Sequence, residues 1–311
     1  MFRKMAAYSI LLTTIIIAIM FAIANPKFIS WENFCTIFKH GAILSITSIG
    51  LTIVMIAGEI DFSYGGTIGL VGALLAGMLK KGYPPGLTLT ILLILSTSFG
   101  FLNGILTSYV RLLSFMTTVA TMFIAMGLER AYSSGLTCWI TNEKLLSIVR
   151  GNTLGFPNLG WIALIVFLIF FTIIQFSRVG YYFRAIGGNR KAAIEVGINI
   201  SRYKTIAFML AGFLYGLAGL LEPLRVSGAI AYAGQNYLLP ALTSVFLGTT
   251  MFFPGQYNIP GTFVGAFIMV MLMNGLTLSG VPFYFTPLLQ GILLVVAVVI
   301  ASDRRIKQIK F

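Results

Sequence analysis

The chain has 311 residues, 58% of them hydrophobic and only 9% charged, with a mean hydropathy of +0.95 and a formal net charge of +13. Soluble domains carry about 25% charged residues, so this composition describes an integral membrane protein. The positive charge does not imply nucleic acid, because the basic residues sit at the ends of apolar runs instead of along one polar face, and membrane topology accounts for them.

The first apolar run, Met5 to Ala24, follows Phe2-Arg3-Lys4. At 1.5 Å per residue it is long enough to cross about 30 Å of hydrocarbon. Ala22-Ile23-Ala24 resembles a signal cleavage site, yet the run exceeds the usual core of about 7–15 residues. Asn25 to Lys39 reads as a polar loop, with Trp31 placed as an interfacial anchor. The second span covers Gly41 to Ala57 and stops at Gly58-Glu59-Ile60-Asp61-Phe62-Ser63-Tyr64-Gly65-Gly66, after which a short third span runs to about Leu79. This interruption is either an ordinary surface turn or a break in a helix whose backbone protein must cover. Carboxylates this near hydrocarbon are costly unless hydrogen-bonded, so Asp61 is expected to cap the helix beginning near Ser63; direct solute contact is the other use.

A fourth span ends at Ser108, with Arg111 beyond it, and a fifth covers Ser114 to Leu128. Glu129 to Gly160 reads as the longest loop without basic clustering. Trp161 to Phe176 is the sixth span, Ile206 to Leu221 the seventh, closed by Glu222-Pro223-Leu224-Arg225, and an irregular connection leads to Asn236. The eighth, Leu238 to Thr250, is short; Thr262 to Leu278 and Phe283 to Ala301 follow, and a basic tail ends the chain. Ten spans with an internal start put the larger share of Lys and Arg in the cytoplasm, together with both termini. The expected fold is therefore an all-α polytopic membrane protein, one transmembrane domain over residues 1–311.

Between the sixth and seventh spans, Ser177 to Thr205 carries Arg178, Arg184, Arg190, Lys191, Arg202 and Lys204. Inside it Asn189 can cap a short helix and Gly197 can end it in the left-handed conformation. Three- and four-residue spacing puts Ala192, Ala193 and Val196 on one small apolar face, with Arg190, Lys191 and Glu195 toward solvent. Such a helix suits a knob for another protein's groove; a solvated loop whose charges only set orientation is the plainer use. Leu102-Asn103-Gly104-Ile105-Leu106-Thr107-Ser108 on the fourth span is similar to Met273-Asn274-Gly275-Leu276-Thr277-Leu278-Ser279 on the ninth, an odd offset of the kind inverted repeats produce. Asn103 and Asn274 are either hydrogen-bond partners between helices or pore-lining groups. Cys35 and Cys138 are unclustered and His40 is the single histidine, so no metal site or Ser/His/Asp set can be assembled. A Cys35–Cys138 disulfide is formally open if both face an oxidising side, and plain packing is the other reading.

Three patterns, in order and across nearly the whole chain, resemble the permease subunits of bacterial ABC importers of the ribose, xylose and autoinducer-2 class, relatives of the branched-chain amino acid permeases. They are Gly58, Asp61, Ser63 and Gly65; Gly187, Asn189, Ala192, Ala193, Gly197, Ile198 and Asn199; and Asn274, Gly275, Leu276, Gly280 and Val281. The resemblance implies a permease half in the bacterial inner membrane. It binds no cofactor of its own and is paired with a second permease subunit, two ATP-binding subunits that carry ATP and magnesium, and an extracytoplasmic solute-binding protein. It also makes Gly187-Gly188-Asn189-Arg190-Lys191-Ala192-Ala193, with Glu195, Val196 and Gly197, the ATPase-coupling segment. Glu59 departs from the family, which usually has a small residue there, and Gly248 to Gly255 lacks the paired glycines usual between the eighth and ninth spans. The expected function is ATP-driven import of a small neutral polar solute, a sugar such as a pentose or an autoinducer-2-like molecule. An ion-coupled secondary transporter, a passive channel and a permease for branched-chain amino acids or nucleosides are the alternatives.

Overall fold

The structure, a computed structural model, describes residues 14–309. The residues Arg3 and Lys4, the start of the first expected span and Lys310 lie outside them. Among the described residues thirteen α-helices carry the architecture: α1 (Thr14–Ala24), α2 (Trp31–Ile56), α3 (Tyr64–Lys80), α4 (Pro85–Ser108), α5 (Ser114–Ser133), α6 (Glu143–Arg150), α7 (Asn158–Phe176), α8 (Arg178–Gly188), α9 (Arg190–Glu195), α10 (Ile200–Val226), α11 (Leu238–Gly248), α12 (Ile259–Leu278) and α13 (Thr286–Ile309). Four two-residue strands form two antiparallel pairs, β1 (Cys138–Trp139) with β4 (Gly228–Ala229) and β2 (Asn152–Thr153) with β3 (Phe156–Pro157). Five helices, α2, α4, α7, α10 and α12, are long and apolar enough to cross a membrane; α1, α3 and the first part of α13 are shorter apolar helices.

The core is built on α2 and α10, whose most apolar windows are 83% and 72% buried, against 28–39% for α4, α7 and α12. A helix that is apolar all round must be enclosed, and α2 is buried on every side from Gly41 to Ala57. Its hydroxyls return to its own carbonyls, Ser45 to Ala42, Thr47 to Ile43 and Thr52 to Ser48, and Thr52 also meets Thr262 of α12 at 2.7 Å. Around this pair the packing is reciprocal. α4 of the first half lies on α10 of the second, α12 of the second lies on α2 of the first, α3 packs on α5 and α11 on α13. That exchange is what an inverted repeat produces, and it places the Asn103 and Asn274 helices in corresponding positions.

Several boundaries differ from the sequence expectation. The polar stretch Asn25–Lys39 is not a loop: it holds a 3-10 turn, Pro26–Ile29, and the opening turns of α2. Ser30 caps that helix by accepting from Asn33, and the Asn33 amide is satisfied by donating to Phe28, so polar residues enter the helix at no loss of hydrogen bonds. Likewise α10 starts at Ile200 and continues through Pro223 to Val226. The expected loop 129–160 contains the end of α5, both strands of the β2–β3 hairpin, β1 and α6, whose apolar face is only Leu146 and Val149 with Leu145 beside them. A helix so polar carries too short an apolar stripe to stand out in sequence.

Candidate functional site

The central stretch folds as three helices instead of one. Ser177 caps α8, Asn189 caps α9 by accepting from the Ala192 amide at 3.1 Å, and Asn199 caps α10 by accepting from the Arg202 amide at 3.0 Å. Gly197 has φ +78°, the left-handed conformation expected of it. Ala193 is 2% exposed and sits with Ile186 of α8 and Ile200 of α10 in a small separate core. This corrects the expected apolar face: Ala193 points inward, whereas Ala192 is exposed and the apolar groups reaching solvent are Ile194 and Val196, 59% and 74% exposed. Arg190, Lys191 and Glu195 are exposed, as are Gly187 and Gly188.

The inner end of α8 is pinned to the break after α2. A side chain on Gly187 would have its Cβ only 2.1 Å from the Ile56 carbonyl and 3.1 Å from the Gly58 nitrogen, so the two backbones touch and only glycine fits. Glu59, next to Gly58, accepts from the ammonium of Lys204, and both side chains are largely buried. The residue that departs from the family pattern is thus the partner of a buried cation on the first turns of α10, a link that spacing does not announce because the residues lie 145 positions apart.

From Gly58 the chain does not turn at the surface. It climbs extended beside α5, with the Ile60 amide donating to the Ser114 hydroxyl and the Phe62 amide to the Thr118 hydroxyl, groups one helical turn apart. Asp61 is fully buried and accepts from the Ser63 amide at 2.8 Å, opening α3, while its other oxygen has no partner among the described residues. Ser63 and Gly65 are buried with it, and α3, only 17 residues long, starts at depth. Of the two readings left open by sequence, the structure takes the covered break; Asp61 binds the Ser63 amide just ahead of α3, whose first turn has no side-chain cap.

A second irregular segment mirrors it. Between α10 and α11 the chain passes β4 and a 3-10 turn, Ala233–Tyr237, before an 11-residue α11. Gly234 lies against the Gly65 carbonyl and the Gly69 amide, Tyr64 donates to the Leu238 carbonyl, and Glu129 accepts from the Tyr232 amide at 2.8 Å. Glu129 was expected at the end of a span; α5 runs on to Ser133, so this carboxylate is inside the helix and 2% exposed. Irregular backbone of this kind is found in membranes where protein covers it.

Asn103 and Asn274 do different things. Asn103 is fully buried and accepts from the Thr121 hydroxyl at 2.6 Å, tying α4 to α5. Asn274 donates to Asn33 of α2 at 2.8 Å and also lines a cavity of about 460 Å³ between α2, α10, α11, α12 and α13. Also on that cavity are His40, Glu222, Arg225, Tyr237, Asn236 and Gln290. Glu222 accepts from Arg225 at 2.9 and 3.1 Å and from the Tyr237 hydroxyl at 2.8 Å, and the Arg225 guanidinium lies 3.1 Å from His40 Nε2. Sequence placed Glu222 and Arg225 as the close of a span; that they are one turn apart on a helix, facing a cavity, became visible only when α10 extended past Pro223. Cys35, buried in α2, and Cys138, in β1, are free thiols. Among the described residues no three His, Cys, Asp or Glu side chains gather as a metal site.

The family described as "Branched-chain amino acid transport system / permease component" matches residues 33–298. Among similar curated proteins are the "Ribose import permease protein RbsC" of Bacillus subtilis, 34% identical over 93% of this chain and 90% of its own length, and that of Haemophilus influenzae, 33% identical over 91% and 89%. The "D-allose transport system permease protein AlsC" of Escherichia coli is 27% identical over 94% of this chain and 90% of its own length. No solved structure matches the chain. The buried break after α2, the reciprocal helix packing and a match over most of the sequence identify the chain as a member of this family of transport-system permease components.

Proposed function

We propose that this chain is the membrane-spanning permease subunit of an ATP-driven importer for a small neutral sugar, and that α9 is the element through which separate ATP-binding subunits move it. The observation that carries the coupling role is the construction of α9. Its inner side is fixed by Ala193 and by the Gly187–Gly58 contact, while Ile194 and Val196 are 59% and 74% exposed among the described residues. Exposed apolar groups on a braced element mark a binding surface, and a brace without slack lets a push at α9 reach α2 and α10 through Gly58 and Lys204. On this reading the α8–α9 end faces the cytoplasm, and a second permease subunit and a solute-binding protein complete the importer.

The sugar reading draws on the relatives' names, ribose import and D-allose transport. It also draws on the cavity beside α12, where Glu222 and Arg225 neutralise each other and leave amide, hydroxyl and aromatic groups to meet a solute. A zwitterionic amino acid would find no unpaired charge there among the described residues. The test is uptake by the complete complex in vesicles, with ribose, allose and leucine as labelled solutes. The reading expects ATP-dependent uptake of a sugar, and Ala192→Glu, on the exposed side of α9, to leave ATP hydrolysis running while uptake falls. Leucine uptake with no sugar uptake would overturn the solute class; uptake indifferent to ATP and abolished by an ionophore would overturn the energy source.

A further inference from the structure

At the same end as α9, between the α4–α5 turn and the start of α10, lies a cavity of about 340 Å³. Its walls are Thr107 and Ser108 from the last turn of α4, Arg111 and Leu113 from the turn, Phe115 from the first turn of α5, and Arg190 of α9, with the Glu59–Lys204 pair at its back. Four independent features of these walls point the same way.

Thr107 and Ser108 are 7% and 9% exposed, and the hydroxyl oxygens of both lack a hydrogen-bond partner among the described residues. Two such hydroxyls side by side are donors awaiting an acceptor. Leu113, at the N-cap of the 20-residue α5, offers no side-chain acceptor, so the free amides of its first turn and the positive end of its dipole are unscreened. Arg111 and Arg190 are both exposed and make no ion pair among the described residues, whereas the charge of Lys204 is already matched by Glu59. The cavity therefore has an excess of two positive charges, uncapped amides and two spare hydroxyls, the donor set of a phosphate site. Its rim is apolar: Leu112, Leu113, Phe115 and Met116 are 49%, 67%, 56% and 64% exposed. A phosphate group bound here would have hydrocarbon lying against that rim.

We propose that this cavity holds the phosphate head group of an anionic phospholipid, with its acyl chains over the Leu112–Met116 rim, so that lipid links the α4–α5 turn to the coupling helix. Basic pockets between helices at the cytoplasmic surface take such head groups. The lipid would contact Arg190 directly and so sit between membrane and coupling segment.

The test counts phospholipid retained by the complete purified complex in native mass spectrometry, after exchange into equal amounts of phosphatidylglycerol and phosphatidylcholine. The proposal expects preferential retention of phosphatidylglycerol at the wild-type chain. Arg111→Gln should cut that preference about fivefold, the weight of one basic residue at a membrane surface, and Thr107→Val, which keeps the side-chain shape, should lower it further. Arg111 is exposed and Thr107→Val is isosteric, so unchanged thermal unfolding of both variants in neutral detergent separates loss of the site from loss of the fold. Equal retention of the two lipids, or a preference untouched by both variants, overturns the proposal. So does stabilisation of the detergent-solubilised complex by inorganic phosphate alone to the same degree as by phosphatidylglycerol, which would make the occupant a free anion. Cross-linking of Arg111→Cys to an ATP-binding subunit in high yield would assign the cavity to that partner. The inference rests on the reading of α9 as the coupling helix at the cytoplasmic end; because retention is read without any uptake assay, failure of the lipid site and failure of the importer reading are distinguishable.

Discussion

The two breaks in the membrane helices, residues 58–63 and 227–237, occupy corresponding places in the two halves and are held in different ways. The first is short. Hydroxyls of Ser114 and Thr118 take its amides, one buried carboxylate takes the Ser63 amide, and Gly58 touches Gly187 of the surface segment. The second is longer and charged, tied by Glu129 to α5 and bordered by the Glu222–Arg225–Tyr237 cluster and an open cavity. On the proposed reading the difference is a division of labour: the break joined to α9 would pass on displacement, and the one at the opposite end would present polar groups to a solute.

The comparison is broken most forcefully at the buried ion pair. Glu59→Ala leaves the Lys204 ammonium buried and unpaired, which costs on the order of 3 kcal/mol. The expected outcome is a lower thermal unfolding temperature of the purified chain, with much of the loss recovered in Glu59→Leu/Lys204→Met; a double variant as unstable as the single would mean the pair is not a unit. Next comes Asp61→Ala, which strands the buried Ser63 amide and should cost about 1–3 kcal/mol. The matching change in the other break, Tyr237→Phe, removes one of three donors to Glu222 and should cost about 1 kcal/mol or less while changing sugar uptake more than stability. Uptake unchanged by Tyr237→Phe would remove the functional half of the contrast. Glu129→Gln keeps the size of a carboxylate and one acceptor for the Tyr232 amide, so ATP-driven uptake should persist within a few-fold. Abolished uptake with normal assembly would point instead to ion coupling at that buried group. Smallest in stability is Val196→Ser, a surface change expected within about 0.5 kcal/mol of wild type, yet one that lowers uptake per ATP hydrolysed.

Much of this was legible in the sequence because hydrophobic runs, caps and left-handed glycines are local. Each expected span has a helix over its described residues, Asn189 and Gly197 delimit α9, and Asp61 binds the Ser63 amide two residues on. What sequence missed was non-local. That Ala193 faces inward depends on Ile186 and Ile200 arriving from two other helices, and Glu59 gains its meaning only from Lys204. The halved helices α3 and α11 read as short spans, but the depth at which they start is set by hydroxyls on α5 and by Gly234 packing on Gly65. The polar opening of α2 and the end of α10 beyond Pro223 were read as loops, because buried asparagine and helical proline look like punctuation until their partners are in place.

The central claim, that α9 is seated in a separate ATPase, is tested most directly by placing a cysteine at its most exposed apolar position, Val196→Cys, and cross-linking within the complete complex in the membrane. The account predicts a covalent product with an ATP-binding subunit whose yield changes when ATP binds. A cysteine at 196 that reacts freely with a water-soluble maleimide in the assembled complex, equally with and without ATP, and joins to no partner would contradict it.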